Sequence, residues 1–158
     1  MILLNFDTQI KGDSSVEKHT DWITCDSVQF GVGRSISTSG GGRDREVSNP
    51  SFSEVTFTKS TDVASGDLYY QAVQGKSLGK AQVHFIQTGG TDSSQVYLTV
   101  ELTDAIVSSY SASSGGDRPS ESFSLNFTKI MYKYDAFTGD TVVTGTEKKW
   151  DVMANKQF

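Results

Sequence analysis

The chain of 158 residues has one cysteine, two prolines and no long apolar run. A single cysteine, Cys25, excludes an intramolecular disulfide and favours folding in a reducing compartment. No segment approaches the roughly 20 apolar residues of a membrane-spanning helix, so we expect no membrane insertion. The opening MILLNF has no basic residue before its short apolar run and no small-residue cleavage site, so we expect no standard signal peptide.

Clustered positive charge is missing as well. The chain has 14 lysines and arginines against 19 acidic residues, a net charge of −5 and a pI near 4.9. Because nucleic-acid binding depends on neutralising phosphates, we expect no nucleic-acid partner. The length fits one domain, 1–158. A domain of this size buries roughly 70% of the surface of its unfolded chain, so it needs no disulfide or metal to hold its core.

Serine, threonine and glycine are abundant, and apolar residues alternate with polar ones in several segments, which predicts a mainly β fold. The predicted strands are residues 22–30, 53–60, 80–88 and 95–110, with a closing pair between 141 and 152 around a turn near Gly145. In the first strand, Val28 and Phe30 are expected to face the core, so Ser27 and Gln29 face outward.

Two segments depart from the strand pattern. Residues 61–75 have a helical apolar stripe, which predicts one α-helix at about 62–74, with Thr61 or Asp62 as N-cap and Gly75 as the stop. The glycine-rich SGGGRDREVSNP has no apolar period and is too long for a tight turn. We therefore predict a long protruding loop at about 38–50.

The stretch GGDRPSESFSLNF, residues 115–127, is typical of a tight turn that leads into a strand. Its apolar residues keep one parity over 123–127, but those of 130–134 take the opposite parity. The slip predicts a β-bulge near Thr128 and Lys129, or a strand whose two halves bury opposite faces.

The motifs that suggest catalysis do not have the context that catalysis needs. GKSLG matches the G-x-S-x-G elbow of hydrolases, but an elbow serine precedes a helix, whereas Ser77 follows one. The only histidine after it is His84, with no acid between them. The carboxylates Asp117 and Glu121 flank Arg118, which is more naturally their ion-pair partner.

The histidines and the cysteine do not form a metal motif either. His19, Asp21 and Cys25 share one parity in an extended chain, while Asp26 takes the other, and no Cys-x-x-Cys or His-x-x-x-His spacing is present. We therefore predict no catalytic residue, no metal and no cofactor, and a structural or interface role for both histidines.

Two long stretches, SYSASSGGDRPSESFSLNFTKIMYKY and KHTDWITCDSVQFGVGRSIS, closely resemble the Hcp family, the haemolysin-coregulated proteins of type VI secretion tubes. HFIQTGG and WDVMANKQ agree with this. The resemblance implies a small β-barrel of two packed antiparallel sheets with one helix, and no enzymatic activity. It also implies homo-hexameric rings that stack into tubes, with spike, sheath and effector proteins as partners.

The resemblance further implies that the chain stays in the bacterial cytoplasm before firing and is then extracellular. It implies that the long loop reaches toward neighbouring subunits as a ring or stacking interface. The residues concerned are Gly40, Gly41, Gly42, Arg43, Asp44, Arg45, Glu46, Val47, Ser48 and Asn49. From strand parity we hypothesise that Ser27 and Gln29 lie on the lumen wall, where effectors would touch.

Two alternatives stay open on sequence grounds. One is a monomeric extracellular β-sandwich that serves as a binding or adhesion module, although such modules usually carry a signal peptide or disulfides. The other is a small hydrolase centred on Ser77 and His84, which the motif context disfavours.

Overall fold

The computed structural model describes residues 1–37, 45–89, 92–138 and 141–158. Its helix is α1 (Ser65–Gln74). In chain order its strands are β1 (Ile2–Phe6), β2 (Ile23–Cys25), β3 (Ser27–Gln29), β4 (Val32–Gly33), β5 (Ile36–Ser37), β6 (Glu46–Val47), β7 (Ser51–Phe52), β8 (Val55–Ser60), β9 (Ala81–Gly89), β10 (Asp92–Thr103), β11 (Ile106–Ser113), β12 (Ser120–Asn126), β13 (Lys129–Tyr134), β14 (Ala136–Thr138), β15 (Thr141–Val143) and β16 (Lys148–Asp151).

Two antiparallel sheets hold most of these strands. One has the order β16-β13-β10-β9-β1-β2 and the other β11-β12-β8-β3. Their inner faces share one apolar core, in which Phe57 stacks on Phe123 and Leu4, Phe6 and Leu102 are fully buried or nearly so. The prediction of a mainly β fold with two packed antiparallel sheets and one helix is confirmed for the described residues.

The chain changes sheet inside segments that the sequence pattern presents as continuous. Residues 22–30 form two strands, because β2 pairs with β1 in the larger sheet and β3 pairs with β8 in the smaller one. The break is at Asp26, whose N–H donates to the carbonyl of Thr58 at 2.8 Å. The prediction of a single strand there is therefore wrong, although Ser27 and Gln29 are exposed as expected.

The parity slip after Phe127 has the same cause. β12 lies in the smaller sheet and β13 in the larger one, so Phe127 and Ile130 both pack on the core from different sheets. The predicted bulge at Thr128 and Lys129 is wrong, and so is the single strand with two buried halves. A register shift occurs instead at Ser108, between β11 and β12.

Helix α1 begins three residues later than predicted. Its N-cap is Ala64, without a side-chain cap, whereas Asp62 Oδ1 accepts the N–H of Ala64 at 2.9 Å just before the helix. The stop is confirmed, because Gly75 takes the left-handed conformation with φ of 67° and its N–H donates to the carbonyl of Gln71. Leu68 anchors the helix in the core.

The segments that flank the predicted loop at 38–50 pair with each other as a β-ribbon. β4 pairs with β7 and β5 pairs with β6, so residues 31–37 and 45–53 run side by side away from the two sheets. Within the described part of the predicted long loop, Glu46 and Val47 form β6, and residues 45 and 48–50 are in no strand. Residues 38–44 lie outside the described residues.

The C-terminal strands pair differently from the prediction. β15 pairs with β14, and β16 extends the larger sheet next to β13. Gly145 is needed for close approach, since an added Cβ would lie 1.8 Å from the carbonyl oxygen of Tyr134. The predicted hairpin around Gly145 is therefore wrong.

A buried ion pair ties the helix to the smaller sheet. Lys59 on β8 and Glu121 on β12 are direct cross-strand partners on the core side, with 0% and 2% of their surface exposed. Lys59 Nζ donates to Glu121 Oε1 at 2.8 Å and to Asp62 Oδ1 at 2.7 Å. Ser65, at the start of α1, donates to Glu121 Oε1 at 2.9 Å, and Tyr110 on β11 donates to Oε2.

These contacts set the protonation state of the cluster. Burial by itself raises the pKa of the Glu121 carboxyl, but hydrogen bonds from Lys59, Tyr110 and Ser65 outweigh it, so the pKa lies below its usual value. Burial, and then the bond to Glu121, raises the pKa of Tyr110. Glu121 is therefore an ionised acceptor, and its partner is Lys59 instead of the predicted Arg118, which donates to the carbonyl of Thr61.

We expect Lys59→Met to lower the free energy of unfolding by about 3 kcal/mol, because it leaves the Glu121 charge buried without its cation. The matched control is Lys80→Met, since Lys80 is exposed and lies 3.5 Å from Glu101. That change should cost less than about 1 kcal/mol. Urea unfolding of both variants is the measurement, and equal losses would contradict the assigned role of the buried pair.

Candidate functional site

The outer face of the smaller sheet carries hydroxyl groups from all four strands. Most residues of the described strands that point away from the core there are serine or threonine; the exceptions are Gln29 and, at one end of the paired β11 and β12, Ile106 and Asn126. We call this surface the hydroxyl face, and its members are Ser27, Gln29, Thr56, Thr58, Ser60, Ser109, Ser111, Ser113, Ser120, Ser122 and Ser124.

No member of the hydroxyl face carries a charge. Its side chains bond to one another across strands: Thr56 Oγ1 lies 3.0 Å from Ser124 Oγ, and Ser27 Oγ bonds to Thr58 Oγ1. Directly behind them lie the buried Phe57 and Phe123. The face is thus a polar, uncharged and rigidly backed surface, which offers many weak donors and acceptors and no strong site.

Strand parity identified only two members of this face. The predicted lumen residues Ser27 and Gln29 are both exposed at its edge, on β3. The same parity rule applied to VTFTKS and SESFSLN would have found Thr56, Thr58, Ser122 and Ser124. What parity could not supply is the order of the strands, which makes these residues neighbours.

The predicted interface loop falls partly on the ribbon. Gly40, Gly41, Gly42, Arg43 and Asp44 lie outside the described residues. Arg45, Val47, Ser48 and Asn49 are exposed, and Glu46 pairs through its backbone with Ser37. The ribbon is held at its base, where Ser53 Oγ accepts the N–H of Gly31 at 2.9 Å.

A groove of about 490 Å³ lies between the ribbon and the edge of the larger sheet. The residues that line it are mainly aromatic or aliphatic. The principal ones are Phe30, Phe52, Phe127, Ile130, Tyr132 and Trp150. We call it the basic groove, because its charged lining residues among those described are Arg34, Lys148 and Lys149, with no acid.

The basic groove has an unpaired donor. Trp150 Nε1 is buried and has no hydrogen-bond partner among the described residues. An unpaired buried donor costs about 1–3 kcal/mol. The groove thus combines an apolar floor, three cations and an orphan N–H, and none of these was predicted from the sequence.

The candidate catalytic residues do not come together. Ser77 Oγ accepts the N–H of Gly79 in a turn, while His84 bonds to another histidine. Asp117 is exposed and Glu121 is buried with Lys59. Burial raises the pKa of the Cys25 thiol to about 12, so it is a protonated core residue.

The two histidines, His19 buried and His84 half-buried, form a pair that the sequence did not predict. His19 Nε2 lies 2.8 Å from His84 Nδ1, and Trp22 packs on both rings. His19 Nδ1 lies 3.1 Å from the carbonyl of Glu17, which can only accept. Neutral His19 is therefore protonated on Nδ1, and His84 Nδ1–H donates to His19 Nε2, which fastens the segment before β2 to the sheet.

A family model described as type VI secretion system effector, Hcp, matches residues 3–134. The chain belongs to the Hcp family of type VI secretion proteins. Hcp proteins are structural, secreted tube proteins and not enzymes, which agrees with the scattered positions of the candidate catalytic residues.

Individual relatives agree. Protein hcp1 of Pseudomonas aeruginosa is 30% identical over 108 residues, which span 66% of this chain and 66% of the relative. The crystal structure of Hcp1 from Salmonella typhimurium matches with a TM-score of 0.78 and 25% identity, over 99% of this chain and 97% of that one. A structure of a type six secretion system protein matches with a TM-score of 0.88 at 23% identity, covering 99% and 98%.

The full-length agreement in fold covers the ribbon and both sheets of this Hcp protein. In the described part of the chain, the helix is too short and too polar to cross a membrane.

The histidine pair makes stability depend on pH. Burial, and then the nearby His19, lowers the pKa of His84 from 6.5 to about 4. Between about pH 4 and pH 6.5 the unfolded chain therefore binds a proton at His84 that the folded chain does not. We expect the free energy of unfolding to fall as the pH drops from about 6.5 to 4, and this contribution to level off below that.

The measurement is urea unfolding between pH 4 and 8 for the native chain and for His84→Gln. The variant should lose part of the slope between pH 6.5 and 4. Parallel pH profiles for the two chains would show that His84 does not titrate in this way.

Proposed function

We propose that the chain is the subunit of a type VI secretion tube, built from hexameric rings that stack and are expelled with effectors in the lumen. The observation that carries this is the hydroxyl face, which is uncharged and spans all four strands of the smaller sheet. A conduit that passes different cargo proteins benefits from a wall without strong charge, because fixed charges would bind or repel particular cargo.

The geometry of the smaller sheet fits a ring. Its two edges are β3 and β11, so copies placed edge to edge would continue the hydroxyl face around a lumen. Six four-stranded sheets at about 4.8 Å per strand give a circumference of about 115 Å and a diameter of about 37 Å. Such a head-to-tail contact uses two different patches on each subunit, and it closes only if the rotation closes.

The ribbon supplies a projecting contact in this proposal. Its exposed side chains include Ile36 and Val47, which are apolar and lie away from the core. Apolar side chains on a projecting ribbon gain by burial against a neighbour. The spike, the sheath and the effectors are the remaining partners, and the chain resides in the bacterial cytoplasm until the tube is fired.

Purified protein should elute from size exclusion at about six times 17.2 kDa and show rings in negative-stain images. The central hole should match the diameter estimated above, less the lining side chains. Deleting residues 41–46 should weaken the assembly or the stacking of rings, if the ribbon makes a contact there. A monomer at every concentration would contradict the proposal and favour the adhesion-module alternative.

Gln29→Trp should reduce retention of a co-expressed effector of the same secretion system by roughly tenfold, because a ring repeats the bulky side chain six times on the wall. The matched control is Gln157→Trp, since Gln157 is also exposed but lies near the C-terminus, away from the hydroxyl face. Both variants should form normal rings. Unchanged retention by Gln29→Trp rings, measured by co-elution, would show that this edge of the face does not contact cargo.

A further inference from the structure

We infer that the basic groove receives the exposed face of helix α1 from a second copy of this chain. The inference rests on the proposed ring, and it names the two patches that the ring contact brings together. The groove and the helix lie at opposite edges of the smaller sheet.

The basic groove lies at the β3 edge. Phe30 directly follows β3, and the groove continues along the base of the ribbon that follows β3 in the chain. Helix α1 lies at the opposite edge, where it packs against β11. Tyr69 of the helix contacts Tyr110 of β11 edge to face, with ring centroids 5.9 Å apart. A head-to-tail contact that joins the β3 edge of one copy to the β11 edge of the next brings the groove toward α1.

The helix presents an apolar face that its own chain does not cover. Tyr69, Tyr70 and Val73 on α1 are each more than half exposed, and so is Val63 just before it. A short helix with two exposed tyrosines has the composition of interface anchors, which are enriched in aromatic residues. The groove, of about 490 Å³, is lined with aromatic side chains that can pack against such anchors.

The charges of the two patches are complementary. Asp67, in the first turn of α1, is exposed and lies one turn from Tyr70 on the same side. The last turn of α1 contains no basic residue, so the partial negative charge of its C-terminal carbonyls is not offset within the helix. The charged lining of the groove consists of Arg34, Lys148 and Lys149.

Three other acidic side chains already have a cationic partner on their own chain. Glu121 and Asp62 are engaged with the buried Lys59. Glu147 lies 3.0 Å from Lys149 on its own chain, which neutralises part of the rim but leaves Lys148 and Arg34 for a partner. The nearest cation to the helix face in sequence is Lys76, beyond the Gly75 stop.

The test is a disulfide cross-link between the two patches, for which one exposed valine in each patch is replaced by cysteine. Val32 lines the groove and is 62% exposed, and Val73 on α1 is 65% exposed. A chain that carries Val32→Cys and Val73→Cys should form, under mild oxidation, a ladder of linked chains up to the hexamer. The native Cys25 does not compete, because it is buried and its pKa is raised to about 12.

The matched control carries Val32→Cys and Val143→Cys, since Val143 is 58% exposed but lies on β15. The linked fraction of the Val32 and Val73 pair should exceed that of the control at least about tenfold, because a disulfide forms only when the Cα atoms lie within about 7 Å. If rings form but the linked fraction does not exceed that of the control, the contact between the groove and α1 is wrong, while the proposed ring stands. Absence of rings in the native chain would overturn the proposed function and this inference with it.

A second test of the same contact reverses the charges on the two patches. Lys148→Glu and Asp67→Lys should each raise the concentration at which half of the rings dissociate, by about tenfold. The double variant should return to within about threefold of the native chain. Thermal unfolding of each variant checks that the subunit is intact, and two additive losses without recovery would show that these residues do not meet.

Discussion

The ion pair between Lys59 and Glu121 is the interaction on which the arrangement of the smaller sheet and helix depends. It sits on the core side of two adjacent strands, where unpaired charge is most costly. The same carboxylate accepts from Ser65 at the start of α1 and from Tyr110 on β11. One buried charge pair therefore fixes the helix against the sheet edge and links it to three strands of the smaller sheet.

The alternation of side chains along the strands gives the smaller sheet two surfaces with different chemistry. The inner face of the smaller sheet holds Phe57 and Phe123 in the shared core, and the outer face holds mainly hydroxyls, with two amides and Ile106. Because side chains alternate strictly along a strand, each residue that strengthens the core places its neighbour on the outer wall. A wall of this kind has uniform polarity over four strands, which suits a surface that touches many cargoes weakly.

The two open edges of the smaller sheet also differ in chemistry. The β3 edge continues into the ribbon and the basic groove, while the β11 edge carries the exposed aromatic side of α1. Unlike patches on opposite edges are what a closed head-to-tail ring requires. The orphan N–H of Trp150 and the exposed Tyr70 are both features that are costly in a lone subunit and that burial against a partner can offset.

The local sequence pattern was enough to predict a strand-rich fold, the outward direction of Ser27 and Gln29 and the end of the helix at Gly75. Whole stretches of residues were enough to show the resemblance to the Hcp family. These depend on alternation, turn chemistry and residue identity, which the linear chain carries. Only the tertiary structure decided where the chain changes sheet: the core-facing residues are Ile23 and Cys25 before Asp26 but Val28 and Phe30 after it, because the pairing partner changes at Asp26. The cross-strand partner of Glu121, the histidine pair and the groove also depend on residues far apart in the chain, because packing, and not sequence spacing, sets which of them meet.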